Sequence, residues 1–263
     1  MASTVANPTV SDTYDKVLDN TAQFLRLLRE AGLTDQARQR VIDDPNFRSE
    51  LVRFWNGNPA EGGTTTPEIA SQIMGDNFHG IDALERHLGV KLSAKSKKLF
   101  LTVPFSAEVL QACRETHMLV ACGPLSLLDV RQAQTGLFYA KSEPWYGQPS
   151  EQFARSKVKA GWQLVRKNPV PDSTSKTWDE QNALLAAVEQ VPSASVLAQA
   201  ILIHYLETEE RLFEQIYVRV SDVGSDGSRV YLGYFDEDGL HVYRYWGDRR
   251  GGNVGLSSSR KFS

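Results

Sequence analysis

Three groups of residues have the chemistry to do more than hold a scaffold together: two cysteines, five histidines and a tail dense in tyrosine and arginine. Cys122 stands in CGPLS, ahead of an expected helix start, where a dipole could lower a thiol pKa. The apolar residues before it favour a buried structural thiol instead. Cys113 and Cys122 have no CxxC or Cys/His zinc spacing, so a reduced, buried pair is expected. His79 and His87 are spaced to share one helical face, but no carboxylate or cysteine set completes a metal site. His204, inside the apolar run ILIHYL, reads as a satisfied core or interface histidine, and His117 precedes a strand with no partner in view. SDVGSDGS and FDEDG have a faint calcium look, yet hairpin turns explain both. There is no G-x-S-x-G elbow, P-loop or G-x-G-x-x-G. The expectation is no catalytic set, no metal and no cofactor.

The tail DGLHVYRYWGDRRGGNVGLSSSRKF is different. Between His241 and Asn253 there is no Lys, Glu, Gln or Met, while Tyr, Arg, Gly and Asp crowd together. Lys and Glu suit a merely solvated edge. Tyr and Arg supply anchoring contacts, and Gly and Asn supply adaptable loop contacts. Strand alternation points Val242 inward and places His241, Tyr243 and Tyr245 on the other face. Trp246 heads the loop GDRRGGN, whose backbone is expected to bend at Gly247, Gly251 and Gly252. The competing reading is an edge hairpin with a long exposed turn.

These residues need a frame. YDKVLDNTAQFLRLLREAGL and PNFRSELVRFW read as amphipathic helices, giving a helical N-terminal module over residues 1–56. GNPAEGGTTTP reads as a linker over residues 57–67. Residues 68–140 are mixed and mainly helical. PEIASQIMG, GIDALERHLGV, SAEVLQACRETH (capped by Ser106) and PLSLLDVRQ are its helices, and HMLVACG is a buried strand. In residues 141–263 a strand, GWQLVRKNPVP, precedes two helices, TSKTWDEQNALLAAVEQ and SASVLAQAILIHYLETEERLF. Strands QIYVRVSDV, RVYLGYFDE, LHVYRYW and VGLSSSRKF follow, separated by hairpin turns. RKNPVPDSTSKTWDEQ is longer than a simple connection needs and is expected to cover part of the fold. This order gives an α+β fold with an antiparallel sheet, not a doubly wound parallel one. Val218, Val220, Val230, Leu232, Leu240, Val242 and the helix around Leu202 form the expected core.

With 263 residues the chain can bury one large core or two small ones. A formal net charge of -3 argues against nucleic acid held by bulk charge. KLSAKSKK reads as the solvated face of a short helix. The start MASTVANPTVSD has no secretory pattern and no run reaches membrane-span length, so a cytoplasmic protein is expected, with surface display left open.

The tail resembles the C-terminal variable region of proteins diversified by diversity-generating retroelements. The segment from GWQLVRKNPVPDSTSKTWDEQ to the end is similar to otherwise uncharacterised bacterial proteins with such a tail. In that family adenine-rich codons are mutated, yielding Asn, Tyr, His, Asp, Ser, Gly and Arg but not Lys, Glu, Gln, Met or Trp. Trp246 would then be a fixed, buried scaffold position. The resemblance implies a C-type lectin-like domain of the formylglycine-generating-enzyme type, preceded by helical segments. It implies a receptor-like binding protein whose contacts come from His241, Tyr243, Arg244, Tyr245, Gly247, Asp248, Arg249, Arg250, Gly251, Gly252 and Asn253. The expected partner is a protein or cell-surface ligand, without nucleic acid or a membrane span, and a homo-oligomer stays open. Asn253 and Gly255 match the N-x-G-F-R ending of that fold. The usual GG-x-W is reduced to Trp246, and GFR is GLS. Two rivals stand beside this reading. An assembly protein would use its N-terminal helices. An enzyme of the formylglycine-generating type would need reactive cysteines near the tail, whereas Cys113 and Cys122 lie well before it.

Overall fold

The computed structural model describes residues 63–139 and 144–261, together with Gln39 and Asp43. The chain divides into two units, Met1–Asn58 and Pro59–Ser263. The helices expected over residues 1–56 lie outside the described residues. The second unit is a mixed α+β fold.

Its helices are α1 (Pro67–Met74), α2 (Ile81–Leu88), α3 (Ala94–Lys97), α4 (Ala107–Cys113), α5 (Leu127–Ala133), α6 (Gln152–Arg155), α7 (Trp178–Asn182) and α8 (Ala194–Thr208). Its strands are β1 (Phe78–His79), β2 (His117–Cys122), β3 (Gly161–Arg166), β4 (Glu189–Gln190), β5 (Tyr217–Val223), β6 (Arg229–Asp236), β7 (Gly239–Tyr245), β8 (Val254–Leu256) and β9 (Ser259–Arg260). One sheet has the order β1-β2-β3-β9-β4 and the other β7-β6-β5-β8. β2 and β3 pair antiparallel along their whole length, so segments 68–140 and 141–263 share a sheet. Thr65, inside the expected linker, bridges Val103, and Thr66 caps α1.

The expected elements appear in order from α1 to β7, with β1 and α6 added, and two expected elements differ. The helix expected from TSKTWDEQ onward ends at Asn182, whose side-chain amide donates to the Trp178 carbonyl at 2.7 Å. Beyond it Leu184 is 38% exposed, so the chain has no apolar face to bury as helix, and Glu189–Gln190 joins the first sheet against β9 instead. VGLSSSRKF is not one strand: β8 runs parallel to β5, and β9 pairs with β3 and β4 in the other sheet. Ser257, Ser258 and Ser259 make the crossing fully buried. Small hydroxyls suit that passage: Ser257 Oγ donates to the Arg219 carbonyl at 2.6 Å and Ser258 Oγ to Glu189 at 3.1 Å.

α8 packs against strands of both sheets. Its buried residues run through every turn from Ala194 to His204, as a helix enclosed on all sides requires. Its polar side chains are satisfied inside the core. Ser195 Oγ donates to the Leu125 carbonyl at 2.7 Å, and the Gln199 amide exchanges hydrogen bonds with the backbone of Gly123. Above α8 the four-stranded sheet buries Val218, Val220, Val230, Leu232, Leu240 and Val242, the core residues that alternation picked out.

Candidate functional site

The other face of that sheet is built from the alternate residues. In register across β5, β6 and β7, Arg219 opposes Tyr231 and Tyr243, and Tyr217 opposes Gly233 and His241. Tyr245 ends β7 opposite Arg229. Tyr217 is the hub, with ring centroids 5.0 Å from Tyr231, 4.4 Å from Tyr234 and 5.9 Å from Tyr243. Tyr139 stacks on His241 at 3.9 Å.

Tyr234 reaches this face because of a β-bulge. The register shifts between Gly233 and Asp236, and Tyr234 has φ 45°. The extra residue reverses the alternation, so Tyr234 joins the outer rings while Phe235 drops into the core at 0% exposure. Gly233 makes the bulge feasible: at φ 146° a Cβ would stand 2.1 Å from the Ile216 carbonyl oxygen. Burial, then the neighbouring tyrosines, raise the Tyr217 hydroxyl above the ordinary phenol range, and burial raises Tyr231 as well. Both stay protonated donors.

The loop after β7 is tied down through its own carbonyls. Gly247 O accepts from the Trp178 amide at 2.7 Å, Arg249 O from Arg219 Nη2 at 2.7 Å, and Gly251 O from the Ser175 amide at 2.9 Å. Two of these donors come from RKNPVPDSTSKTWDEQ, the long connection expected to cover part of the fold. Its capping box adds a side-chain tether: Thr177 and Glu180 bond reciprocally, and Glu180 also accepts from Arg250 Nη2 at 2.6 Å. The Thr177 amide first, and Arg250 second, hold the Glu180 carboxyl down at about 2. Gly255 belongs to the same junction, where a Cβ would meet Pro169 Cβ at 2.8 Å and Ser173 Oγ at 3.0 Å.

Of the eleven tail residues expected to make contacts, Tyr243, Tyr245, Asp248, Arg249, Arg250, Gly252 and Asn253 are exposed. His241, Gly247 and Gly251 are half-buried. The His241 ring nitrogens are buried without a hydrogen-bond partner, and burial lowers its pKa, so it contributes a neutral ring rather than a charge. Arg244 does not join the group. It lies on the core side of β7, stacked over Trp145 at 4.5 Å and paired with buried Glu151 at 2.6 Å. Trp246 is not a buried scaffold residue: it is 54% exposed. The loop glycines do not supply left-handed bends either, since Gly247, Gly251 and Gly252 are absent from the positive-φ positions. Gly251 is small because a Cβ would meet Val254 Cγ2 at 2.9 Å.

Residues upstream of the tail complete the surface. Tyr231, Tyr245, Arg249, Arg250 and Asn253 line a pocket of about 400 Å³ together with Arg219, which is only 2% exposed. Sequence reasoning confined to the tail missed Arg219, Tyr217 and Tyr231. The signal was the alternation in QIYVRVSDV, which sets Tyr217 and Arg219 opposite Val218 and Val220.

The other chemistry-bearing residues are spent on structure. His79 Nε2 lies 2.9 Å from His204 Nδ1, and His204 Nε2 lies 2.9 Å from Glu210 Oε2. His79 is in β1 and His87 in α2, so they do not share a helical face, and His87 pairs with Glu207 instead. His117, which opens β2, bonds Thr116 Oγ1 at 2.8 Å. Cys113 and Cys122 are buried free thiols, and burial pushes Cys122 up to about 12. Asp226 and Asp236 close the hairpin turns by accepting from the amides of Ser228 and Asp238. Among the described residues no group of three or more His, Cys, Asp or Glu is placed to hold a metal ion. No helix among them is long and apolar enough to cross a membrane. No family model matches the chain, and no curated protein or solved structure matches it.

Proposed function

We propose that this is a recognition protein that binds a ligand or partner protein through the outer face of β5–β7 and the loop 247–253, without catalysis. The tether through three alternate carbonyls carries this reading: the loop is held by its main chain while most of its side chains stand in solvent. Tyr243, Tyr245, Arg249 and Asn253 supply large contact area at low entropy cost and forked or adaptable hydrogen bonds. The composition of His241–Asn253 supports diversification by a retroelement, with the domain a C-type lectin-like fold of the formylglycine-generating-enzyme type. Helices ahead of a small sheet whose β5, β6 and β7 are antiparallel, and Asn253 and Gly255 at its last strand, support that fold reading, although that last strand runs parallel to β5. Inward Arg244 narrows the diversified contact set, and exposed Trp246 would be an invariant member of the surface.

The test is the DNA. Sequencing the locus in independent isolates should reveal a near-copy of the coding sequence for residues 241–253, differing at adenines, beside a reverse transcriptase gene. Variation should spare the Val242 and Trp246 codons. An invariant tail with no neighbouring near-copy would remove the diversification reading.

A further inference from the structure

Arg219 is among the largest fully buried side chains of the described residues and forms no ion pair with any of them. Its Nη1 donates to the Lys176 carbonyl at 3.1 Å and to Gln181 Oε1 at 2.9 Å, and its Nη2 donates to the Arg249 carbonyl at 2.7 Å. All three acceptors are neutral. Its Nε is buried with no hydrogen-bond partner among the described residues. Guanidinium keeps its proton in proteins, so this is a permanent charge held away from water. Buried charges are normally paired, because an unpaired one is strongly destabilising. Asp248, on the exposed loop, is the acidic residue that acts on it by charge alone.

Arg219 also lines the 400 Å³ pocket, a volume in the range of small-ligand sites. Around it stand Arg249 and Arg250, and among the described residues only Arg250 of these three arginines has a carboxylate partner, Glu180. Tyr231 and Tyr245 form aromatic walls, and Asn253 adds an amide. The Arg249 guanidinium lies over the Tyr245 ring at 4.8 Å, which fixes it at the rim.

We infer that this pocket binds a small ligand whose carboxylate or phosphate group pairs with Arg219 and Arg249 while a flat ring lies against Tyr231 and Tyr245. The inference rests on the recognition reading and deepens it. It gives the surface a chemical class of ligand and a floor residue upstream of the tail. An anion satisfies the missing charge, and forked donors suit both carboxylate and phosphate oxygens. The tyrosine walls favour an aryl anion over a bare one.

Titration calorimetry of the full chain at low ionic strength, with phenyl phosphate, benzoate and neutral benzyl alcohol, tests it. At least one aryl anion should bind saturably, and benzyl alcohol about tenfold or more weaker, the size of one charge-assisted hydrogen bond. Binding of phenyl phosphate alone assigns a phosphate ligand, of benzoate alone a carboxylate, and of both the shared anion. Arg219→Gln and Arg249→Gln should each weaken binding by about tenfold or more. Arg249 is exposed, so its variant stays folded even if the loss of Arg219 unfolds the loop. Absence of anion binding to the folded wild type, equal binding of benzyl alcohol, or unchanged affinity in Arg249→Gln would overturn the inference. A varying tail without anion binding would remove only the ligand class. An invariant tail with Arg249-dependent binding would remove only the diversification.

Discussion

Arg244 Nη1 lies 2.6 Å from Glu151 Oε1, on the side of β7 opposite Tyr243 and Tyr245. Glu151 is 2% exposed and also accepts from the amide and hydroxyl of Ser225, at 3.0 and 2.7 Å. One buried carboxylate therefore clamps β7 to the β5–β6 turn. Glu151→Ala removes the acceptor of Ser225 and leaves Arg244 only Asp226, at 3.5 Å, and is expected to cost about 2 kcal/mol. Urea denaturation checks this; a loss near zero would show that water replaces the clamp.

Two tryptophans should part company. Trp246→Ala removes a side chain that is 54% exposed and is expected to cost under about 1 kcal/mol. Trp162→Ala empties a site that is 3% exposed beside Phe78 and Phe100, and should cost about 3 kcal/mol or more. Equal melting temperatures for the two variants would contradict the assigned burial.

Glycine substitutions offer a third contrast. Gly233→Ala forces a Cβ against the Ile216 carbonyl at a left-handed φ and is expected to destabilise by about 2 kcal/mol or more. Gly252→Ala meets nothing nearer than Ser175 Oγ at 3.9 Å and should be close to neutral. The comparison, read by denaturant midpoint, tests whether the bulge or the loop 247–253 is the constrained turn.

Acid should weaken the fold through buried histidines. Burial, then neighbouring positive charge, holds His79 and His117 down from 6.5 to about 4. Between those values the unfolded chain binds more protons than the folded one, so the histidine contribution falls as pH drops from about 6.5 to about 4 and is complete below, where depressed carboxylates such as Glu180 continue the loss. His79→Gln should flatten that slope by about one proton. A stability profile flat across this window would show that both rings protonate freely in the folded state.

Chelation should do nothing. An ion at a hundred times its dissociation constant adds about 2.7 kcal/mol of stability, which a thermal scan resolves. The melting temperature is expected to be unchanged by EDTA. A fall reversed by calcium would turn SDVGSDGS or FDEDG into a binding loop.

The core face was legible because period-two alternation in QIYVRVSDV, RVYLGYFDE and LHVYRYW is a local signal, as was the burial of HMLVACG. Where local rules break, the reading failed. A bulge at Gly233 inverted the parity of Tyr234 and Phe235. The tail's split at Ser257 and Ser258 depends on two sheets meeting, which no window of sequence contains. Arg244 followed the alternation that pointed Val242 inward, yet its charge suggested solvent; a buried carboxylate nearly a hundred residues upstream decides its direction. For Trp246, family resemblance suggested burial and the strand end leaves it in the open.

The attachment of residues 247–251 through carbonyl oxygens has an evolutionary corollary. Every amino acid carries the same carbonyl, so the anchor at position 249 survives a change of side chain, whereas at 247 and 251 glycine also clears Trp178 and Val254. Substitutions at Asp248, Arg249 or Gly252 alter what the loop displays without asking the fold to be re-solved. A change of residue at these exposed positions is thereby separated from the risk of misfolding, and the segment 173–181, Arg219, Gly247 and Gly251 are the positions where that freedom ends.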